Sequence, residues 1–340
     1  MHRFIAGTCV LTLRLTPEGP WMVRGETERE RTPNGRERNL LLPLLDRNGR
    51  PTLPGSAIKG VLRSTAERIL RSVGPARDPL RAPLTDPTFV IDPQRDLAGL
   101  PRANVADSEL AKWVADQPTD NPVPLNLAPP AVYATLSATS QLFGATLHAG
   151  LLTLTNASAP NPSMQRRSHV AIDRFHGGVG EGPFLEALAS ADTTLSTSLT
   201  ITNFAFWHLA LLAFIIREID EGFVSFGLGT RKGQGRMRAT LSDLTFSYPD
   251  LAYNVPAGII SAQARLAAPP WSVADVPLAV QLADADPVAT DLTPTPPADW
   301  RSAGTRGIRV DGERVTLLLR EIVNGPWATW LHAMTSEVAA

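Results

Sequence analysis

The stretch Gly222–Arg238 constrains the chain more than any other. Glycines at 227, 229, 233 and 235 bracket the basic pair Arg231-Lys232, and Arg236 and Arg238 follow at once, so a flexible backbone turn is loaded with cations. Glycine tolerates positive φ and lets backbone N–H groups approach an anion closely, while Arg and Lys supply charge. Two readings are open: a cradle for a polyanion, or a glycine-rich hairpin whose basic residues are merely solvated. The flanks fix its place. Before it, FAFWHLALLAFIIREIDEG is densely apolar and reads as a largely buried helix stopped at Gly222. After it, Met237–Tyr248 reads as a strand in which Leu241, Leu244 and Phe246 could face a core.

Other segments repeat this alternation of types. Residues 2–15 have a strand's period-two pattern through Cys9, Leu11, Leu13 and Leu15. Between Trp21 and Pro51 the mixed-sign run RGETERERTPNGRERN is most simply a mobile surface loop. LPGSAIKGVLRSTAERILRSV then reads as a helix, with Pro54-Gly55 as a turn, Ser56 as N-cap, and Ile58, Leu62, Ala66, Ile69 and Leu70 at helical spacing. Its N-terminus can offer N–H groups to an anion, and Lys59 and Arg63 share one face, as a solvated basic face would also have them.

From about 74 to 130 the Pro-, Asp- and Ala-rich sequence reads as an insertion, with a short helical candidate at Ser108–Val114. A turn at Gln141–Gly144, a strand over roughly 146–157 and another over roughly 193–202 follow. Between these strands lies a hairpin-like region, about 160–192, which brings Arg166, Arg167, His169, Asp173, Arg174 and His176 together. Asp173 is read as holding this hairpin in place; Arg174 does the same or meets a phosphate. Polar structural roles are expected for His169 and His176.

Stripped of insertions, the order is strand, helix, two strands, helix, strand. The expected fold is therefore α+β, a ferredoxin-like or RRM-like βαββαβ core with large loop insertions over residues 1–250. Residues 251–340 form a C-terminal extension that packs on the domain or on a neighbour; within it IRVDGERVTLLLREI looks strand-like.

With 32 Lys+Arg against 33 Asp+Glu among 340 residues, no global basic field announces nucleic acid, and any such binding is local. The single Cys9 excludes an internal disulfide and any cysteine-based zinc site, and its place in an apolar strand suggests a buried structural thiol. The N-terminus resembles a strand and not a signal peptide, and the apolar run Phe204–Ile216 is too short for a membrane span. A cytoplasmic protein with no membrane partner is expected.

Several separated segments resemble the RAMP superfamily of type III CRISPR effector complexes, in particular its backbone subunits of the Csm and Cmr kind. LPGSAIKGVLRS is similar to the family's Pro-Gly-Ser-Ser-x-Lys-Gly-x-x-Arg segment, with Ala57 for the second Ser. VAIDRFHGGVGEG resembles an Ile-Asp-Arg-x-Thr-Gly stretch, with His176 where Thr is usual, in what would be a thumb-like hairpin. FGLGTRKGQGRM resembles the glycine-rich loop near the domain's end, and SQLFGATLHAGLLTLTNA the Leu-Phe-Gly turn and following strand. Relatives often carry cysteines before that turn; this chain has none, so no zinc is expected there.

The resemblance implies a subunit that coats CRISPR RNA, holding the guide and its duplex with complementary target RNA beside other RAMP subunits and the large subunit. Phosphate contacts would come from Ser56, Lys59, Arg63, Arg174, Gly229, Arg231, Lys232, Gly233 and Gly235. No cofactor is expected to be bound structurally. Backbone subunits often cleave target RNA through an Asp on the loop after the first strand. Asp46 is the candidate here, with Mg²⁺ if RNA is cleaved, although spacing places the family's Asp nearer Asn39, which cannot serve as a base. Glu26, Glu28, Glu30 and Glu37 remain open, as do His169 and His176 as metal-independent bases. An endoribonuclease and an end-capping or adaptor subunit are the alternatives to a structural RNA-binding role.

Overall fold

Strand β1 (Thr8–Pro17) alternates strictly: Cys9, Leu11, Leu13 and Leu15 are fully buried, while Val10, Thr12 and Arg14 point to the opposite face. That period commits one face to helices and leaves the other polar. The computed structural model describes residues 5–31, 37–73, 138–144, 149–160, 162–190, 192–248, 259, 261–262, 294–295 and 306–336. The proposed insertion at 74–130 and its helical candidate lie outside them.

Around β1 forms an antiparallel sheet that includes β5 (Leu152–Leu154), β9 (Leu195–Thr202) and β10 (Met237–Tyr248), in the order β10-β1-β9-β5. With helix α1 (Gly55–Val73) after β1 and helix α3 (Phe206–Asp220) after β9, this is the ferredoxin-like arrangement. A short helix α2 (Ala138–Phe143) precedes β5. In β10 the buried positions change parity, from Met237 and Ala239 to Leu244, Phe246 and Tyr248. Leu13 pairs with Leu241 and Thr12 with Asp243, so Ser242 is an extra residue, a bulge that shifts the inward-facing set.

A second sheet runs β2-β3-β8-β7, built from β2 (Arg24–Arg31), β3 (Glu37–Pro43), β7 (Met164–Ile172) and β8 (Val179–Ala189). The charged stretch after β1, expected to be a mobile loop, is thus a β-hairpin. Its alternating charges make cross-strand and inter-hairpin pairs, Arg29 with Glu37 at 3.9 Å and Glu30 with Arg166 at 2.8 Å. A two-stranded ladder of β4 (Thr52–Leu53) and β6 (Ala157–Ser158) supports the start of α1.

The C-terminal segment completes the first sheet. β12 (Arg306–Asp311) pairs antiparallel with β10, and the short β11 (Pro294–Thr295) pairs with β12. The expected single strand over IRVDGERVTLLLREI divides at Gly312, whose φ is +57°. Beyond it, Val315, Leu318 and Ile322 recur at helical spacing and are buried by helix α4 (Glu313–Ile322). A π-helical turn, Val323–Trp327, leads to helix α5 (Ala328–Ser336). This segment covers α3: Trp330 stacks on Trp207 with centroids 4.7 Å apart, and Trp327 meets Phe214 at 5.3 Å. Enclosed between sheet and helices, α3 is buried around most of its circumference.

Candidate nucleic-acid interface

The glycine-rich loop is a folded turn and not an open cradle. Gly229 and Gly233, with φ of +77° and +78°, flank a 3₁₀ turn over Thr230–Lys232. The Lys232 and Gln234 amides donate to Gly229 O at 2.8 and 3.2 Å, Gly233 N to Thr230 O at 3.2 Å, and Gly235 N to Pro20 O at 3.0 Å. A Cβ on Gly227 would collide with the Met22 carbonyl, and one on Gly235 with that of Phe226. Gly227 and Gly235 therefore serve close packing, and the amides of Gly233 and Gly235 are already satisfied. That corrects the expectation that these N–H groups face phosphate.

Its cations divide sharply. Arg236 and Arg238 both hold Glu18 at 2.7 Å, pinning the loop's exit to the end of β1. Lys232 Nζ donates to the buried carboxylate of Glu186 at 2.9 Å. Arg231 is exposed, and among the described residues no carboxylate pairs with it. Of the basic pair singled out in the sequence, Arg231 has no carboxylate partner among the described residues and Lys232 is a tether.

Helix α1 presents a different face to this loop than expected. Lys59 Nζ donates to Leu152 O at 2.9 Å, and Arg63 binds Glu67 at 3.0 Å and Gly144 O at 2.9 Å, so both are turned toward β5 and the turn after α2. Burial, then the neighbouring Arg63 charge, holds the Lys59 pKa below its ordinary value. Ser56 is exposed but is not the N-cap: the helix begins at Gly55, whose amide donates to Asn156 Oδ1 at 2.9 Å. The grouping of Ser56, Lys59 and Arg63 with the glycine loop into one groove is thus not what the fold assembles.

What the fold brings together instead is a polar cavity of about 430 Å³ between α1 and the loop, lined by Ser64, Thr65, Arg68, Phe223, Thr230 and Arg231 among others. Arg68 reaches Glu218 at 3.4 Å, an exposed and weak pairing. Phe223 is 66% exposed at the cavity's rim. Two guanidinium groups, hydroxyls and an open aromatic ring are what a nucleotide's phosphate and base require. Arg68, Ser64 and Phe223 carry no motif, and their convergence depends on how α1 crosses the loop.

The β7–β8 hairpin supplies a second exposed surface. At its tip Asp173 Oδ1 accepts the amides of Phe175 and His176 at 2.6 and 3.0 Å, so Asp173 builds the turn, as expected. Arg174 and His176 are exposed beside Phe175, which is 94% exposed, and Ile172 and Val179 are also open. The open face of the main sheet bears hydroxyls at Thr12, Ser198, Thr200 and Thr240 and, among the described residues, contributes no exposed aromatic ring. Among the described residues the exposed phenylalanine rings are Phe175, Phe223 and, at 46% on β8, Phe184.

Asp46 is spent on its own turn. Its Oδ1 accepts the Asn48 and Arg50 amides at 2.8 and 2.9 Å, and Arg50 Nε lies 3.3 Å from Oδ2. The Arg50 amide leads the interactions that hold its pKa below the ordinary carboxylate value. A carboxylate so occupied is a poor ligand for Mg²⁺ or base for RNA cleavage. Among the described residues no three His, Cys, Asp or Glu side chains converge as a metal group, and no described helix is long and apolar enough to cross a membrane.

The element order and sheet topology define a ferredoxin-like domain. The sequence model of the RAMP superfamily matches residues 14–238, more than half of the chain, and the protein belongs to that superfamily. Membership is consistent with a CRISPR-associated, RNA-binding role. No curated protein matches the chain significantly.

Proposed function

We propose that the protein is a CRISPR RNA-binding backbone subunit of a type III ribonucleoprotein, holding guide RNA and the guide–target duplex alongside other RAMP subunits and the large subunit. The observation that carries this reading is Arg231, an exposed cation with no carboxylate partner among the described residues, set in a polar cavity beside Arg68 and the open ring of Phe223. Backbone phosphate would be held there by charge and hydroxyls without base readout, which suits a guide of arbitrary sequence. The hairpin tip, with Arg174 and Phe175, is a wedge suited to stacking against a base.

The test is a salt series of affinities for a mixed-sequence single-stranded RNA with the full chain. Each phosphate contact removed lowers the slope of log K against log salt by about 0.7. Arg231→Gln and Arg68→Gln are expected to show that drop, and Phe175→Ala to weaken binding with little change in slope. An unchanged affinity in all three would point to the adaptor reading. Cleavage through Asp46 has no geometric support; regularly spaced, Mg²⁺-dependent cuts in complementary RNA, lost in Asp46→Ala, would restore it.

A further inference from the structure

Glu186 lies on β8 with only 3% of its surface exposed, yet its carboxylate meets side chains of the glycine-rich loop and of β7. Oε1 accepts from Lys232 Nζ at 2.9 Å, and Oε2 accepts from the buried Gln234 side chain at 3.1 Å. His169 Nε2, across the ladder on β7, lies 2.9 Å from Oε2 without the alignment of a hydrogen bond. A buried carboxylate is stable as an anion only with such partners. Burial raises its pKa, but the Lys232 and Gln234 hydrogen bonds and the charges of His169 and Lys232 outweigh that and hold it low. Two of the three partners flank Gly233 in the glycine-rich loop, and the third belongs to the β7–β8 hairpin.

We propose that Glu186 is a positioning residue that clamps the glycine-rich loop to the base of the hairpin and withdraws the charge of Lys232 from RNA, leaving Arg231 as the loop's phosphate ligand. The geometry supports both halves. Lys232 and Arg231 are neighbours on one 3₁₀ turn, so fixing Lys232 against β8 fixes the direction in which Arg231 leaves the turn toward the α1 cavity. The spacing between that cavity and the exposed hairpin tip is then set by an ion pair, with Glu186 buried and the Lys232 side chain 48% exposed, instead of by a free loop. Burying a charge is costly, and its use here is geometric specificity. The inference rests on the RNA-binding reading of the cavity.

The experiment uses the full-length chain, a mixed-sequence single-stranded RNA probe and a salt series, with hydrogen exchange as an independent readout. Lys232→Met is expected to weaken binding, because Arg231 loses its support, while leaving the salt slope near that of the wild type, unlike Arg231→Gln. Glu186→Gln, nearly isosteric, is expected to steepen the slope by about 0.7 as Lys232 is released, and the double variant Glu186→Gln/Lys232→Met to lose that gain. Amides of residues 230–236 are expected to exchange faster in Glu186→Gln, with those of β1 unchanged. Equal slope losses for Lys232→Met and Arg231→Gln, with Glu186→Gln indistinguishable from wild type, would overturn the proposal. If no variant affects RNA binding but exchange still quickens in Glu186→Gln, the clamp stands and the RNA reading fails; unchanged exchange would remove the clamp itself.

Discussion

Gly60 and Gly235 are occupied by the same residue type for opposite reasons. Gly60 sits on the exposed face of α1, and nothing lies within 4 Å of where a Cβ would be. A helix-interior glycine costs about 1 kcal/mol relative to alanine, so Gly60→Ala is expected to raise stability by roughly 0.5–1 kcal/mol in urea denaturation. At Gly235, φ is +75° and a Cβ would run into the Phe226 carbonyl. Gly235→Ala is therefore expected to cost about 2 kcal/mol or more, from the left-handed penalty plus the displaced backbone. His208 makes a second residue-scale prediction. Fully buried, it accepts the Ala205 amide at Nδ1 at 2.9 Å, and burial pushes its pKa down to about 3. The folded state thus stays neutral at this site while the unfolded chain takes up a proton below about pH 6.5. Because the folded pKa is the lower, this stability is fully present above pH 6.5 and is lost on acidification toward pH 3. Between pH 6.5 and 5 the loss approaches roughly 2 kcal/mol. Urea midpoints at those two pH values should show it in the wild type and not in His208→Gln.

Among the elements, α3 depends most on its surroundings. Trp330 is 3% exposed and bridges Trp207 and Trp327, with ring centroids at 4.7 and 5.0 Å. Trp330→Ala is expected to destabilise by about 3–5 kcal/mol, as a large cavity opens in an aromatic cluster. Chemical denaturation followed by near-ultraviolet dichroism would report both the loss and its location. Where apolar residues alternate cleanly or run densely, the elements were legible from the residues: β1 and β9 follow a period of two, and α3 is a nearly continuous apolar run. The β2–β3 hairpin was not, because its pairing is specified by charges such as Glu30 meeting Arg166 of β7, a partner far away in the chain. The end of β12 was hidden for a different reason. One apolar pattern runs through it, and only the positive φ at Gly312 and the helical placement of Val315, Leu318 and Ile322 divide strand from helix.

For the whole molecule, the C-terminal segment is structural: β12 extends the sheet along β10, while α4 and the residues after it roof α3. A chain truncated after Tyr248 would expose Trp207 and Phe214 and leave the β10 edge unpaired. Its expected outcome is loss of a cooperative thermal transition, or aggregation, in calorimetry and size-exclusion chromatography; a sharp transition in a monomeric product would show the extension to be dispensable. The sequence alone determined the element order of the βαββαβ core, since periodicity is a local property, and it marked the glycine-rich loop as a place of special backbone. It left open which of that loop's cations are paired within the fold. Charge is visible in a sequence, but whether a charge is free depends on what folds beside it. Glu186, Glu18 and the Leu152 carbonyl come from distant segments and claim Lys232, Arg236, Arg238 and Lys59. Only the tertiary structure decided that Arg231, which has no carboxylate partner among the described residues, shares a cavity with Arg68 and Phe223, because long-range packing sets which neighbours neutralise a side chain.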